Sequence, residues 1–234
     1  MIKNLIIAGE AGQGVNILAG WISRGLIDKG FFVFNSREYE SRVRGGCNHN
    51  TITISESPIH SSSKNADVII ALSEKTLAIH KANLNSEGII LFGVENNAFY
   101  AGSIFKIFSL SFDILDLELK KLKNYSSNIE SAKKGFDSEK RSRSLGHFKQ
   151  KEKIQFMNGN EAIAEGAILS GVEFYYSYPM TPATGVLTEL SQRESKGSHI
   201  TVELEGEIAC VNAAIGSAVM GAKSMAGSSG GGFD

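Results

Sequence analysis

Apolar positions in the first half of the chain switch between two periods. Asn4 to Gly9 is a short continuous apolar run that ends in Gly9-Glu10-Ala11-Gly12-Gln13-Gly14. Beyond that turn, Val15, Leu18, Ala19, Ile22 and Leu26 recur at the spacing of one buried helix face. Gly30 stands where a helix end needs a left-handed residue, and Phe31 to Phe34 begins the next strand. Thr51 to Ser55 alternates with period two, and Asp67 to Leu72 is again continuous and apolar. Glu74 to about Asn83 predicts a helix, and Gly88 to Gly93 a further strand. Strands alternating with helices predict an α/β sheet covered on both faces.

The pattern weakens around Leu117 to Lys153, where charged residues crowd together and Asp137 to Ser144 reads as a surface helix breaking into a linker. Asn128 to Gly135 has the look of the last helix before it. A second α/β unit opens at about Asn158, with a helix from Glu161 to Ser170 that Gly171 stops. Then come the stretch FYYSYPMTPATG (Phe174 to Gly185) and a strand, ITVELE, feeding a helix whose expected buried face is Ile208, Val211, Ile215 and Val219. The expected division is a first domain over 1–116, a charged helix and linker over 117–153, and an incomplete second domain over 154–234.

A length of 234 residues accommodates about two compact units. With 42% hydrophobic and 21% charged residues the chain reads as globular rather than disordered. A net charge of −1 argues against nucleic acid or an acidic membrane surface as the main partner. No apolar run approaches the roughly 20 residues that cross a bilayer. The first residues enter a strand without a basic stretch or cleavage site, so a signal peptide is not expected and the cytoplasm is the expected compartment. Cys47 and Cys210 are too far apart in sequence to pair as ligands, which leaves no metal site, disulfide framework or iron–sulfur cluster within the chain. The five histidines are scattered and read as surface residues.

The first glycine turn invites a nucleotide reading, but the order of its glycines speaks against a dinucleotide. That fingerprint is G-x-G-x-x-G with an acidic residue closing the second strand. Here the order is G-x-x-G-x-G, and the second strand ends in Phe34-Asn35-Ser36-Arg37. Backbone N–H groups at a helix start still favour a phosphate or pyrophosphate, around Gly12 and Gly14. The plainer alternative is a tight strand-to-helix turn with no ligand. A second candidate is Arg42, Arg44, Gly45 and Gly46, two planar guanidinium forks followed by a glycine pair able to form an anion nest, with Asn48 and Asn50 close behind. Its plainer alternative is a solvated loop whose arginines pair with Glu38 and Glu40.

The second half carries more specific chemistry. In Tyr178-Pro179-Met180-Thr181-Pro182 two prolines fix φ and push the residues before them toward extended backbone. Such a turn aims the Thr181 hydroxyl and nearby amides at one point, which suits a carboxylate, and Thr184 is placed to cap the next helix. Glu205 and Glu207 follow the ITVELE strand. Glu207 stands where the helix turns apolar, so its carboxyl is a candidate for exchanging a proton with a nitrogen heterocycle. The alternatives are a rigid turn for Tyr178 to Pro182 and a dipole-stabilised glutamate for Glu207.

These residues carry a family likeness. AGEAGQGV (Ala8 to Val15), RVRGGCNHNTI (Arg42 to Ile52), GNEAIAEGAILSGVEFYYSYPMTP (Gly159 to Pro182) and ELEGEIACVNAAIG (Glu203 to Gly216) resemble the alpha subunit of 2-oxoacid:ferredoxin (acceptor) oxidoreductases with a gamma domain fused ahead of the alpha domain. The resemblance implies a three-layer α/β sandwich gamma domain followed by the N-terminal part of a thiamine-diphosphate-enzyme pyrimidine-binding α/β domain. It also implies oxidative decarboxylation of a 2-oxoacid on thiamine diphosphate, electron transfer to ferredoxin, and release of the acyl group to coenzyme A. By that likeness Glu207 hydrogen-bonds the aminopyrimidine, while Tyr178, Pro179 and Thr181 help hold the substrate carboxylate. The loops at Gly12 to Gly14 and Arg42 to Gly46 would serve coenzyme A. Met180 stands where isoleucine is more usual in the turn. Ser228 to Phe233 is similar to the family's serine-glycine turn, so the chain reads as truncated within the alpha domain. No Gly-Asp-Gly motif and no cysteine cluster occur, which assigns Mg2+, the diphosphate and the iron–sulfur cluster mainly to a partner beta subunit. The alternative is a catalytically inactive α/β remnant that binds a phosphorylated ligand or a partner subunit.

Overall fold

The computed structural model describes residues 2–40, 46–143, 145, 154–196 and 199–229. The chain divides into two compact units, Met1–Phe156 and Met157–Asp234.

In the first unit β1 (Ile2–Glu10), α1 (Val15–Asp28), β2 (Phe32–Glu38), β3 (Cys47–Ser55), β4 (Ala66–Ala71), α2 (Glu74–His80) and β5 (Leu84–Phe92) follow in order. The sheet runs β2-β3-β1-β4-β5. β1, β4 and β5 are parallel, whereas β3 is antiparallel to both β1 and β2. Alternate residues of the central strands feed two cores, as strands covered on both faces require. Leu5, Ile7, Val68 and Ile70 pack with Leu18, Ile22 and Leu26 of α1. Ile6, Ala8, Ile69 and Ala71 pack on the opposite side with Leu77 of α2. The expected three-layer sandwich is what forms. Gly30 adopts φ +103 just past α1, as its capping role predicts.

α3 (Asn97–Ile107), α4 (Phe112–Leu119) and α5 (Tyr125–Ser138) complete this unit. α5 lies inside the 117–153 segment read as a charged helix and linker, extends beyond the helix expected at Asn128 to Gly135, and packs closely on α3. The reason is a pair of small residues. A Cβ on Gly102 would run into the carbonyl oxygen of Ala132, and one on Gly135 into that of Phe99. Ser103 Oγ donates to the Gly135 carbonyl at 3.2 Å across the contact. Lysines occupy the outward side of α5, so its mean hydropathy hides a buried seam of Ala132 and Gly135.

The second unit contains α6 (Gly159–Leu169), β6 (Phe174–Ser177), α7 (Thr184–Arg193), β7 (Ile200–Glu203), α8 (Glu207–Val219) and β8 (Ser224–Gly227). Its sheet runs β7-β6-β8, all parallel. Asn158 and Glu161 form a reciprocal capping box at the start of α6, and Gly171 at φ +77 follows its end. Ala164, Ala167, Tyr175, Val186, Leu187 and Leu190 make the core. No described helix is long and apolar enough to cross a membrane.

Three expectations are corrected. The face of α8 that turns inward is Cys210 and Ala214, while Ile208, Val211, Ile215 and Val219 are 78, 36, 56 and 79% exposed. Small residues let the helix approach the sheet and leave the branched ones outside. Thr184 is not a cap, because Ala183 holds that position without a side-chain bond and Thr184 opens α7 itself. His80 and His199 are buried rather than superficial. His199 Nε2 sits 2.8 Å from the Leu190 carbonyl. His80 packs against His49, with ring centroids 4.5 Å apart, and the His49 ring lies 3.5 Å from the Glu38 carboxylate. Burial, reinforced by His49 and opposed by Glu38, pushes His80 down to about 4.

Two stability measurements follow from these contacts. Gly135→Ala is expected to destabilise the chain by about 1–3 kcal/mol in urea unfolding, because the α3–α5 seam must open to admit a methyl group. His80 stays neutral in the folded chain down to about pH 4, while its unfolded counterpart takes up a proton below roughly pH 6.5. Stability therefore falls with a slope of up to about 1.4 kcal/mol per pH unit as pH drops through that window. His80→Leu should flatten the slope and leave stability above pH 7 nearly unchanged.

Candidate functional site

Two places in the fold gather the candidate residues, one in each unit. In the first, the antiparallel pairing of β1 with β3 sets Glu10 opposite Cys47, so the turn leaving β1 meets the loop entering β3. Ala11 N donates to the Gly46 carbonyl at 3.3 Å across that junction. Gly12, Gly14 and Gly46 all take left-handed φ values, +92, +76 and +104, which L side chains rarely adopt. Arg42, Arg44 and Gly45 lie outside the described residues.

The turn is fixed by side-chain amides that sequence reasoning did not single out. Gln13 Oε1 accepts from Glu10 N at 2.6 Å, and its Nε2 donates to the Leu72 carbonyl at 3.2 Å. Asn97 Nδ2, at the start of α3, donates to the Gln13 carbonyl at 2.8 Å. Gly14 then caps α1, directing the first amides of a fourteen-residue helix outward. A cleft of about 670 Å³ opens there, lined by Gly12, Gly14, Asn16, Arg37, Asn48 and Asn50, together with Glu10, Glu38 and Glu40. Asn50 is 2% exposed, and its Nδ2 has no hydrogen-bond partner among the described residues. A buried donor without an acceptor carries a desolvation cost that a ligand oxygen would offset. The three carboxylates make the described lining acidic, so an anion here would depend on the helix amides, Asn50 and Arg37.

In the second unit the parallel strands β6, β7 and β8 all end on one edge. The Tyr178 to Pro182 turn leaves β6, Leu204 to Gly206 leaves β7 for Glu207 at the head of α8, and Ser228 and Ser229 leave β8. Leu204 N donates to the Ser177 carbonyl at 3.0 Å, tying two of these exits together. Ser229 Oγ lies 3.1 Å from the Met180 carbonyl and 3.0 Å from that of Thr181. Asn160 Nδ2 donates to the Pro182 carbonyl at 3.1 Å. Asn160 and Ser229 both fall within family-like stretches, Gly159 to Pro182 and Ser228 to Phe233, but neither was assigned a role from sequence, although the Asn158–Glu161 capping pair places Asn160 in the first turn of α6.

Thr181 is exposed, and its hydroxyl makes no hydrogen bond among the described residues. Glu207 is half-buried with no hydrogen-bond or ion-pair partner among them, whereas Glu205 is exposed. One turn along α8, burial and then the Glu207 charge push the Cys210 thiol up. Burial likewise pushes up the Tyr175 hydroxyl, which lies beneath the edge 3.4 Å from Ser177 Oγ. Among the described residues the edge thus combines a hydroxyl and a carboxylate without partners over a floor of Tyr175 and Cys210, both of whose pKa values burial raises.

Residues 4–121 match the family model described as pyruvate ferredoxin/flavodoxin oxidoreductase. Residues 165–234 match the model for pyruvate flavodoxin/ferredoxin oxidoreductase, thiamine diP-binding. The chain is 21% identical over 315 aligned residues to the alpha subunit of a 2-oxoacid:ferredoxin oxidoreductase from Sulfolobus, covering 97% of this chain and 50% of that one. It is 38% identical over 81 residues to 2-oxoglutarate synthase subunit KorA of Methanocaldococcus jannaschii, covering 35% of this chain and 22% of the relative. The solved structure of 2-oxoglutarate:ferredoxin oxidoreductase from Magnetococcus marinus, with 2-oxoglutarate, coenzyme A and succinyl-CoA bound, shares the fold at a TM-score of 0.81 and 22% identity. That match covers 99% of this chain and 48% of the other. The chain therefore spans half or less of the length of these relatives.

The geometry of the first turn is open to a direct test. Gly14→Ala would place a methyl group in left-handed backbone with Asn97 Nδ2 only 2.5 Å away. The expected cost is about 1–3 kcal/mol in urea unfolding. Asn97→Ala in the same background should recover the steric part and leave the backbone part.

Proposed function

The chain belongs to the pyruvate ferredoxin/flavodoxin oxidoreductase family, and from that membership we propose that it is the gamma–alpha part of a 2-oxoacid:ferredoxin oxidoreductase subunit. The complex would oxidatively decarboxylate a 2-oxoacid in the cytoplasm, pass electrons to ferredoxin and yield an acyl-coenzyme A. The observation that supports this reading is the common edge of β6, β7 and β8. It gathers Glu207, the Tyr178 to Pro182 turn and Ser229 within the segment matching the thiamine diP-binding model.

The residues present fit the pyrimidine end of thiamine diphosphate. Among the described residues the half-buried Glu207 has no hydrogen-bond or ion-pair partner that would compete for its carboxylate. When bound, the cofactor supplies the electron-accepting ring that makes loss of carbon dioxide from a 2-oxoacid feasible. Glu207 would hold and return a proton at a pyrimidine ring nitrogen through its carboxyl oxygen. The Thr181 hydroxyl would donate to the substrate carboxylate, with Tyr178 and Pro179 shaping the approach. In the first unit the Gly12 and Gly14 amides, with Arg42, Arg44, Gly45 and Gly46, would receive phosphate groups of coenzyme A, and Asn50 Nδ2 would find its acceptor there. Among the described residues no three His, Cys, Asp or Glu side chains group as a metal site. Mg2+, the diphosphate and the iron–sulfur cluster are accordingly proposed to be held mainly by a partner beta subunit.

The test is to assemble the chain with its partner subunit and follow oxoacid- and coenzyme A-dependent reduction of a low-potential dye. Glu207→Gln keeps the shape but not the proton, so the rate should fall about 10²–10⁴-fold with assembly intact. Glu205→Gln, at the exposed position, should change the rate by no more than a few-fold. Calorimetry on the chain alone should show no tight binding of thiamine diphosphate. Near-normal activity of Glu207→Gln would remove the thiamine role from this edge.

A further inference from the structure

The turn Tyr178 to Pro182 is held from two directions by side chains that belong to neither the turn nor its strand. Ser229 Oγ, beyond β8, lies within 3.1 Å of the Met180 and Thr181 carbonyls, so its one proton is shared between them. Asn160 Nδ2, in the first turn of α6, takes the next carbonyl, Pro182, at 3.1 Å. The Asn160 amide also fills the space over Gly185, where any Cβ would collide with it. Thr184 N, entering α7, donates to the Met180 carbonyl at 3.2 Å. Three consecutive carbonyls are therefore engaged by donors from α6, α7 and the end of β8. Thr181, at the centre, keeps an exposed hydroxyl without a hydrogen-bond partner among the described residues.

This arrangement has an electrostatic meaning for a carboxylate. Each carbonyl oxygen carries partial negative charge and repels an anion placed beside it. A carbonyl that is hydrogen-bonded and held in one direction repels less and cannot swing toward the ligand. We propose that Asn160 and Ser229 are positioning residues for the 2-oxoacid carboxylate, acting through the Met180-Thr181-Pro182 turn. Both keep its carbonyls occupied and its Thr181 hydroxyl presented. The inference rests on the functional reading above, and it assigns substrate affinity, rather than cofactor affinity or the proton step at Glu207, to this pair.

Asn160→Ala, Ser229→Ala and Ser229→Thr would be compared in the complex assembled with the partner subunit and thiamine diphosphate. Each alanine variant is expected to raise KM for the oxoacid about tenfold, the effect of a displaced Thr181 hydroxyl losing its hydrogen bond to the carboxylate. kcat should stay within about threefold and the Kd for thiamine diphosphate within about twofold, both well below a tenfold loss of one interaction. Ser229→Thr, which keeps the hydroxyl, should restore KM. Calorimetric affinity for oxamate, an unreactive oxoacid analogue, should fall in parallel with the rise in KM. Hydrogen exchange on the free chain supplies a readout independent of catalysis: the amides of Met180, Thr181, Ala183 and Thr184 should exchange faster in both alanine variants and normally in Ser229→Thr. Unchanged KM and exchange would overturn the proposal. Parallel loss of kcat and thiamine diphosphate affinity would overturn it too, by placing the turn against the cofactor. If the wild-type complex turned over no oxoacid while exchange still responded, the functional reading would fail and the substrate role with it, leaving only a structural clamp.

Discussion

A parallel strand must begin at the edge where its neighbour began, so the chain recrosses the sheet before every new strand. In the second unit β6, β7 and β8 consequently deliver their carboxyl ends to one side. That constraint makes neighbours of Thr181 and Ser229, which are separated by 48 positions. The first unit reaches a comparable result by breaking the rule once. An antiparallel strand starts where its partner stops, so β3 brings its entry loop to the exit turn of β1. Ala11 and Gly46 are joined across the junction for that reason.

The same chemical device steadies both places. Gln13 and Asn97 bind backbone groups of the first turn, and Asn160 and Ser229 do so for the second. These neutral groups satisfy carbonyls and amides without adding charge, so the field at each site is left to the helix ends and the few ionised residues. Among the described residues of the first unit those are Arg37 and three glutamates. In the second they include Glu207, over a buried thiol and phenol whose pKa values burial raises.

Much of this was legible in the sequence. Continuous apolar runs located β1, β4 and β5, and the spacing of Val15, Leu18, Ile22 and Leu26 described a face that is buried in full. What failed has one physical source. Periodicity reports where branched apolar side chains stand, not where two backbones come close. Close approach selects small residues: Gly102, Ala132 and Gly135 between α3 and α5, Cys210 and Ala214 beneath α8. A reading weighted toward large hydrophobic residues therefore found the helix at Asn128 to Gly135 without its buried seam and turned α8 the wrong way round. The anchors Asn160 and Ser229 left no such trace, because a side chain's bond to a distant carbonyl has no period. Glycine turns and the proline-rich turn were visible because backbone geometry constrains residue type locally.

The outward ridge of α8 has a bearing on how the free chain behaves as a solute. Ile208, Val211, Ile215, Val219 and Met220 lie exposed along one helix, and a net charge of −1 provides almost no long-range repulsion between molecules. Apolar contact of this kind strengthens with temperature and with sulfate or phosphate salts, and weakens in the cold. Colloidal stability, rather than folding stability, then sets the concentration and buffer in which the polypeptide stays monodisperse.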